Sequence, residues 1–272
     1  MKSQVFVAFD TETTGLWAYS HRILELGAVK FRLDTAGIES FESLINPERS
    51  IPAEVIPIHG ITDKMVIDAP SAPGVLNYFL EFCDRDSILI AHNASFDISF
   101  LACEFERAEL DFSTNPVIDT VDIYHHLFPG LDSYSLLSLV KHFQISTEQD
   151  HRALSDAKLV YLLFSKAAKK LAHIENKEQL LDMISVYRMT DWHGNSMQFP
   201  PEFAELEKAI NKNMRVEINY DTSAQTPTVR IIHPRTSYAL GSNYYINAFC
   251  ERAGGERTFR LDRIKSFRIL KP

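Results

Sequence analysis

The order of the periodic segments restricts the fold of this chain more than any other feature. Three strand-like segments come first, and short strands then alternate with helical segments as far as about residue 171. The predicted strands are Val5–Phe9, Arg22–Leu33, Ile38–Ile45, Ser87–Ala91 and Val117–Ile118, and the predicted helices are Gly74–Cys83, Ala94–Ala108, Val121–Leu127, Ser135–His142 and Arg152–Leu171. An antiparallel start followed by strand–helix alternation predicts an α/β fold with helices packed on a mixed sheet.

A second, β-rich unit is predicted toward the carboxyl end. We place the first domain at residues 1–175, a transitional linker at residues 176–200 and the second domain at residues 201–272. The predicted elements of the second domain are a short helix, Pro201–Asn211, and the strands Arg215–Tyr220, Val229–His233, Tyr244–Glu251, Arg257–Ile264 and Phe267–Leu270. Gly254 and Gly255 predict a hairpin between two of these strands.

The two predicted units differ in charge. The chain has a formal net charge of −8, yet residues 201–272 hold 12 basic and 8 acidic residues, a net charge of +4. Residues 1–200 hold 16 basic and 28 acidic residues, a net charge of −12. This asymmetry indicates different partners for the two units. An acidic unit is poorly suited to holding nucleic acid by charge alone, but it fits a site that binds nucleic acid through metal ions.

The sequence lacks the features of membrane proteins and of secreted disulfide scaffolds. Its longest apolar run, Leu159–Phe164, is far shorter than the roughly 20 residues that span a bilayer. Cys83, Cys103 and Cys250 lie far apart without a C-x-x-C pair, which predicts buried, reduced thiols. The first residues lead straight into a strand, unlike a signal peptide. We therefore expect a cytoplasmic protein without a membrane partner.

Paired carboxylates end the first predicted strand. Asp10 and Glu12 are two residues apart, so their side chains should project from the same face. Two adjacent carboxylates repel each other unless a cation lies between them, and hard oxygen ligands suit Mg²⁺ or Mn²⁺. Taken alone, however, this D-x-E spacing also fits two solvated turn residues.

Two further acids lie at the starts of predicted helices. Asp97 follows the strand Ser87–Ala91, and Asp156 begins an otherwise apolar helix. A carboxylate at the start of such a helix caps a backbone group, contacts solvent or faces a metal. His151 precedes Asp156 by five residues, at or just before the start of the helix. That place suits a group that moves a proton, although a helix-start histidine with a structural hydrogen bond is the alternative.

Three motifs in this order resemble the DEDDh exonuclease family, which includes the proofreading subunit of the bacterial replicative DNA polymerase. They are Phe9–Leu16 (FDTETTGL), His92–Asp97 (HNASFD) and His151–Ala157 (HRALSDA). Ile58–Thr62 (IHGIT) matches a further family segment, and the resemblance covers about residues 4–170. It implies an RNase H-like fold with a mixed, five-stranded sheet and flanking helices, and 3′-to-5′ removal of nucleotides.

The same resemblance implies roles for individual residues. Two divalent ions, Mg²⁺ or Mn²⁺, would be ligated by the four acids, which are Asp10, Glu12, Asp97 and Asp156. His151 would be the general base that takes a proton from the attacking water, and imidazole suits that step at neutral pH. Two such ions stabilise the attacking and leaving oxygens of an in-line displacement and neutralise the scissile phosphate.

The family's substrate-binding positions also have counterparts in this sequence. Thr11, Thr13, Gly15 and Leu16 would lie near the 3′-terminal nucleotide, and Leu16 would press on its base or sugar. Phe96 is interpreted either as a base-stacking aromatic or as a core residue. His59 either contacts the terminal nucleotide or stabilises its loop, and Asn93 either fixes its loop or touches the substrate.

The segment from about Glu205 to Leu270 resembles the WYL domain of bacterial regulators. The similarity lies in Tyr220, His233–Pro234, Tyr244–Ala248 (YYINA) and Arg257–Ile264 (RTFRLDRI), with Tyr-Tyr-Ile in place of the name-giving Trp-Tyr-Leu. The resemblance implies a small SH3-like β-barrel that binds a nucleotide or nucleic-acid ligand. Arginines are the candidate ligand contacts, namely Arg230, Arg257, Arg260 and Arg263; an ordinary half-buried sheet with solvated arginines is the alternative.

We therefore predict a metal-dependent 3′–5′ exonuclease that acts on the 3′ ends of nucleic acid, with DNA favoured, and releases nucleoside 5′-monophosphates. A polymerase or repair protein is the expected partner. Two alternatives stay open: a nucleic-acid-sensing regulator dominated by the second domain, and an exonuclease for RNA or short oligoribonucleotides. The sequence does not determine the sugar preference, because recognition of a 2′-hydroxyl depends on local pocket geometry.

Overall fold

Two compact units make up the chain. The computed structural model describes residues 2–194, 199–212, 214–221, 227–240 and 242–270. One unit comprises Met1–Phe128 and Ser133–Thr190, and the other comprises Pro129–Asp132 and Asp191–Pro272. Parts of the predicted linker and of the second domain, including residues 195–198 and 222–226, lie outside the described residues.

The first unit contains a six-stranded mixed sheet in the order β3-β2-β1-β4-β5-β6. The strands are β1 (Phe6–Thr13), β2 (Ile23–Phe31), β3 (Ile38–Leu44), β4 (Ile88–Ala91), β5 (Val117–Asp119) and β6 (Val186–Tyr187). β1, β2 and β3 are antiparallel neighbours, whereas β4 and β5 continue the sheet in parallel with β1. The predicted α/β fold with a mixed sheet is confirmed.

Eight helices belong to the described part of the first unit. They are α1 (Ile56–His59), α2 (Asp63–Val66), α3 (Ala72–Phe82), α4 (Ala94–Arg107), α5 (Thr120–Leu127), α6 (Leu136–His142), α7 (Ala153–Ala168) and α8 (Lys177–Met183). α7 packs against β1 and β2, where Phe164 contacts Phe6 with ring centroids 4.8 Å apart. Because β1 and α7 are apolar on these facing sides, the buried interface holds the polar start of α7 near the carboxyl end of β1.

Three differences from the sequence prediction concern the limits and the number of the elements. β1 continues to Thr13, because its polar residues stay paired with β2 after the apolar run ends at Phe9. α8 and β6 lie in the predicted linker, and two residues of β6 are too few to produce a periodic pattern. β6 pairs antiparallel with β5, which makes the sheet six-stranded instead of five-stranded.

The second unit is β-rich, as predicted. Its elements are β7 (Trp192–Gly194), α9 (Ala204–Asn211), β8 (Val216–Tyr220), β9 (Thr228–Leu240), β10 (Asn243–Cys250), β11 (Gly255–Arg260) and β12 (Ile264–Ile269). The strand order is β11-β10-β9-β8-β12, with β7 paired to β9. Its core includes Leu206, Ile218, Ile246 and Phe259.

Two predicted strands of this unit have other boundaries. β9 runs past Pro234 because the register with β10 shifts between Asn247 and Ala248, an irregularity that accommodates a proline within a sheet. The predicted strand Arg257–Ile264 is instead divided, since β11 ends at Arg260 and a 3₁₀ turn, Leu261–Arg263, precedes β12. The predicted hairpin is present, because Gly254 adopts φ 62° between the paired strands β10 and β11.

Cys83, Cys103 and Cys250 are buried and form no disulfide among the described residues. In the part of the chain that the structure describes, the helices are all too short or too polar to cross a bilayer.

Candidate active site

The carboxyl-terminal half of β1 supplies the first two acids. Asp10 lies opposite Gly27 of β2, and Glu12 lies opposite Glu25. Alternation along a strand places Asp10 and Glu12 on the same face, as predicted. Both side chains line one cavity of about 220 Å³.

The third acid comes from the first turn of α4, directly after β4. The chain turns at Asn93, which has φ 64°, so that α4 begins beside the end of β1. Asp97 is 2% exposed, and its Oδ1 accepts hydrogen bonds from the Thr11 amide (3.0 Å) and the Thr11 hydroxyl (2.7 Å). The residue between Asp10 and Glu12 therefore holds the carboxylate of Asp97 against β1.

The start of α7 supplies the fourth acid and the histidine. Gln149 Nε2 donates to Asp156 Oδ2 at 2.5 Å, whereas Asp156 Oδ1 is buried without a hydrogen-bond partner. His151 is exposed and adopts φ 51° immediately before α7. One ligand atom each from Glu12, His151 and Asp156 lie within 4.8 Å of one another. Residues from distant parts of the sequence thus converge on one cavity.

Burial and mutual repulsion make this cluster costly to ionise. Burial, followed by the charges of Asp97, Glu12 and Asp156, raises the pKa of Asp10 well above its usual value. Burial, followed by Asp156 and Glu25, raises the pKa of Glu12 to about 9. Burial also raises the pKa of Asp97 to about 7, despite the hydrogen bonds from Thr11. A bound cation would oppose these shifts, because it favours the ionised carboxylates.

The residue types present fit a divalent cation of the hard, oxygen-binding class. Asp156 Oδ1 is a buried acceptor without a hydrogen-bond partner, and a cation would satisfy it. The neighbouring atoms that could also ligate a cation are carboxylate oxygens. Asp10, Glu12, Asp97 and Asp156 all line the cavity, so they are the side chains that can hold such ions.

Six of the seven predicted substrate-binding residues line the same cavity. They are Thr11, Thr13, Gly15, Leu16, His59 and Phe96. The seventh, Asn93, is exposed and does not line it; its backbone N–H donates to Asp119 Oδ1 at 2.9 Å. Leu16 is 43% exposed, which leaves an apolar side chain at the mouth of the cavity.

Local contacts shape several of these cavity residues. Thr13 Oγ1 donates to the Gly15 carbonyl at 2.6 Å, and a Cβ on Gly15 would lie 2.4 Å from the His21 ring. His59 is 4% exposed, and its Nδ1 accepts from the Ile61 amide at 3.0 Å. Burial lowers the pKa of His59, so its neutral ring carries the proton on Nε2 and can donate it. Phe96 packs against Phe100 with centroids 5.0 Å apart and also reaches the cavity.

Four further residues of the cavity were not predicted as site residues from the sequence. Val55, Ile58, His92 and Gln149 also line the cavity. His92 Nδ1 lies 2.8 Å from Thr120 Oγ1, and burial lowers its pKa to about 4, so the ring is neutral near pH 7. His92 belongs to the second motif, which is the signal that could have found it.

A buried acid at the end of β5 holds the backbone of the second motif in place. It was not predicted as a site residue from the sequence. Asp119 accepts hydrogen bonds from the amides of Asn93 (2.9 Å), Ala94 (3.0 Å) and Val121 (2.8 Å). One carboxylate therefore caps α5 and holds the start of α4, which carries Asp97. An acid before a predicted helix is a recognisable N-cap signal, but the sequence does not show its partners in α4.

The four arginines proposed for the second unit have different surroundings. Arg257 is exposed, and its Nη1 donates to the Glu256 carbonyl at 2.6 Å. Arg260 is 18% exposed and pairs with Asp262 at 2.9 Å, and Arg230 Nε donates to Thr228 Oγ1 at 3.1 Å. Arg263 is half-buried on the 3₁₀ turn.

The mixed sheet, its helices and the acidic cavity define a nuclease of the RNase H-like exonuclease fold. The chain matches the family model described as Exonuclease over residues 7–164, and it therefore belongs to the Exonuclease family. The WYL domain model matches residues 201–269. Both resemblances noted from the sequence are confirmed, and the chain is an exonuclease, a hydrolase of nucleic acid.

Curated relatives extend well beyond this chain. DNA polymerase III PolC-type of Oceanobacillus iheyensis is 41% identical over 175 residues, which are 64% of this chain and 12% of that protein. The Bacillus subtilis protein of the same name is 40% identical over 201 residues, 71% of this chain and 14% of its own length. The chain thus spans about one eighth of the length of these relatives.

Solved structures share the fold. Exonuclease X in complex with 5′ overhanging duplex DNA has 27% identity and a TM-score of 0.51, covering 66% of this chain and 98% of that one. The nuclease domain of 3′hExo, a DEDDh family member bound to rAMP, has 16% identity and a TM-score of 0.54, covering 62% and 93%. The second likeness concerns the fold alone.

Proposed function

We propose that the chain is a divalent-metal-dependent 3′–5′ exonuclease that hydrolyses phosphodiester bonds at DNA 3′ ends and releases nucleoside 5′-monophosphates. The observation that carries this proposal is the convergence of Asp10, Glu12, Asp97 and Asp156 on one cavity. A structural role does not require four carboxylates that burial keeps difficult to ionise together. The names of the relatives, which are DNA polymerases, favour DNA over RNA.

The four acids would hold two divalent ions, Mg²⁺ or Mn²⁺, which supply charge neutralisation of the scissile phosphate and stabilisation of the attacking and leaving oxygens. Thr11 would fix Asp97 in place during this step through its two hydrogen bonds. Arg152 lies close enough to Glu12 to favour its ionised form. Thr11 therefore orients one acid, and Arg152 offsets part of the repulsion that opposes the ionisation of Glu12.

His151 would act as the general base. It is exposed at the cavity, beside Glu12 and Asp156, so its ring can reach a water that approaches the phosphorus atom. The water oxygen forms a bond to phosphorus, and its proton passes to His151. The bond from phosphorus to the O3′ of the preceding nucleotide breaks, and that oxygen takes a proton from solvent. The products are a nucleoside 5′-monophosphate and a shortened strand with a free 3′-hydroxyl.

The remaining cavity residues would select the terminal nucleotide. Leu16 and Phe96 present apolar surface to a base, which has a π-face whatever its identity. His59 lines the cavity with a neutral ring and would contact the terminal nucleotide or stabilise its loop. We propose that the second unit adds binding affinity through exposed cationic groups such as Arg257.

A degradation assay tests the proposal directly. Purified protein is incubated with 5′-labelled single-stranded DNA, duplex DNA and RNA, each with free or phosphorothioate-protected 3′ ends. We expect a ladder of products shortened from the 3′ end in Mg²⁺ or Mn²⁺, none in EDTA, and none with Asp10→Ala.

The matched control is Asp182→Asn, which changes an exposed acid on α8 outside the cavity and should retain full activity. Protection of the 3′ end should stop the reaction. Release of the labelled 5′ nucleotide first, or equal activity in EDTA, would contradict the proposal. Faster shortening of RNA than DNA would retain the exonuclease mechanism and overturn the DNA preference.

A further inference from the structure

We propose that Glu25 and Gly27 of β2 together position the start of α7, and that Glu25 is a positioning residue for His151 and Asp156. The inference deepens the proposed nuclease function and rests on it, because His151 and Asp156 are the groups that act there. Neither Glu25 nor Gly27 belongs to the acidic motifs. Both lie on the strand next to the one that carries Asp10 and Glu12.

Gly27 allows the backbone of α7 to approach the sheet. It lies directly opposite Asp10 in the antiparallel register. A Cβ at this position would lie 2.2 Å from the Leu154 amide nitrogen and 2.3 Å from the Ala153 carbonyl carbon. Both contacts are with backbone, which cannot rotate away, so any side chain here would displace the helix. The first turn of α7 therefore rests on the backbone of β2 beside Asp10.

Glu25 fixes the same turn from a position two residues away. It is fully buried and lies opposite Glu12. Its Oε2 accepts from Arg152 Nε at 3.0 Å and from the Ala153 amide at 2.9 Å, and its Oε1 accepts from Arg152 Nη2. The Ala153 amide is one of the free N–H groups at the start of α7, so the contact also caps the helix.

These contacts connect β2 to Asp156 on α7 and to His151, which lies just before that helix. His151 precedes Arg152 directly and holds φ 51°, an unusual conformation that needs support from its surroundings. Asp156 follows one turn later, and its amide donates to the Arg152 carbonyl at 2.9 Å. A displacement of Arg152 would therefore move His151 and Asp156 relative to Asp10 and Glu12.

The charge of Arg152 makes the arrangement compatible with the acidic cavity. Glu25 on its own would add a buried negative charge opposite Glu12, and it raises the pKa of Glu12. Arg152 acts in the opposite direction on the same carboxyl. The pair thus fixes the helix, and Arg152 offsets part of the charge that Glu25 adds beside the candidate metal site.

Two substitutions test Glu25 and its partner in the full chain. Glu25→Gln keeps the shape and one acceptor oxygen but removes the charge, and Arg152→Lys keeps the charge but loses the two-point contact. The matched control is Arg22→Lys, because Arg22 makes a similar pair with buried Glu104 on α4, away from α7. The measurements are the melting temperature, the Mn²⁺ affinity by calorimetry, and kcat at saturating Mn²⁺ on the p-nitrophenyl ester of thymidine 5′-monophosphate.

A double-mutant cycle with His151→Ala separates positioning from simple stability. We expect Glu25→Gln to lower kcat about tenfold or more and to weaken Mn²⁺ binding about tenfold, with a smaller effect on KM, as for other residues that orient ligands. In the His151→Ala background the same change should lower kcat by less than about threefold. Arg152→Lys should act in the same direction, whereas Arg22→Lys should lower only the melting temperature.

The opposite pattern would overturn the inference. If Glu25→Gln lowers kcat equally in both backgrounds and leaves the Mn²⁺ affinity unchanged, Glu25 supports the fold alone. If Glu25→Gln does not fold, Arg152→Lys decides by the same two measurements. A wild-type protein without hydrolysis would refute the nuclease proposal, and the Mn²⁺ affinities would still decide whether Glu25 positions Asp156.

Discussion

Asp97 accepts two hydrogen bonds from Thr11, one from its amide at 3.0 Å and one from its hydroxyl at 2.7 Å. Thr11 lies between Asp10 and Glu12, and Asp97 lies 86 residues later, so these contacts join two of the three motifs. The geometry explains why the threonine belongs to the acidic motif although it lacks a charge. Its side chain orients the acid of another segment.

The first prediction concerns this hydroxyl. Thr11→Val keeps the shape and the amide contact but removes the second donor to Asp97. A hydrogen bond to a charged group contributes about 1.5–3 kcal/mol, so we expect the free energy of unfolding to fall by about that amount. Misplacement of Asp97 should also lower kcat about tenfold. Denaturant unfolding and the p-nitrophenyl ester assay measure the two effects. Thr11→Ser should retain both, and an equally impaired serine variant would contradict the explanation.

The second prediction concerns pH and metal. The pKa of Glu12 is raised to about 9 and that of Asp97 to about 7, mainly by burial, so the folded protein binds protons more tightly than the unfolded chain. The stability of the metal-free protein should therefore be highest in mild acid and fall as the pH rises from about 5 to about 8. Added Mg²⁺ or Mn²⁺ should reduce this fall, because the cation stabilises the ionised acids.

Melting temperatures in EDTA and in Mg²⁺, at about pH 5 and about pH 8, test this linkage. Asp10→Asn is the useful comparison, since it removes one charge from the cluster and should make the metal-free protein less sensitive to pH. A melting temperature that rises with pH in EDTA would contradict the assigned direction of the pKa shifts.

The third prediction concerns Asp119, which holds the starts of two helices. Asp119→Ala removes the acceptor of three backbone amides, and we expect a loss of about 2–4 kcal/mol in the free energy of unfolding. Ser135→Ala is the control, because the Ser135 hydroxyl caps α6 by accepting from one backbone amide, that of Ser138, and its loss should cost about 1 kcal/mol. Equal losses for the two variants, by denaturant unfolding, would contradict the double role of Asp119.

Site residues that are marked by a local sequence pattern could be predicted from the sequence. The spacing of Asp10 and Glu12 was enough to place them on one face of β1, and the apolar pattern located α7 behind Asp156. It missed Glu25 and Gly27, because they lie in an apolar strand and their partners are more than 120 residues away along the chain. The close approach of the α7 backbone to Gly27 does not change the hydrophobic periodicity of the sequence.

The predicted limits of some strands differ from the structure for a related reason. Pro234 marked the end of a strand in the sequence, but β9 continues because its partner strand β10 shifts register and tolerates the proline. β6 has two residues, and only its pairing with β5 makes it a strand. Pairing between distant segments decides both cases, and residue composition does not record it.

The fourth prediction concerns the separation of the two units. A chain that ends after Thr190 keeps the whole first sheet, including β6, whereas a chain that ends at residue 175 loses α8 and β6. We expect the chain that ends after Thr190 to fold, because the residues that line the cavity all belong to the first unit. It should hydrolyse the p-nitrophenyl ester with a kcat within about threefold of that of the full chain. The chain that ends at residue 175 should be less stable, since the edge of β5 becomes unpaired.

DNA binding tests the role of the second unit. If that unit contacts nucleic acid, the chain that ends after Thr190 should bind DNA more weakly than the full chain and lose the salt dependence that Arg257 contributes. Arg257→Gln in the full chain should reproduce part of that loss. Unchanged DNA affinity in the chain that ends after Thr190 and in Arg257→Gln would refute a nucleic-acid role for the second unit. The chemistry proposed for the first unit would not be affected.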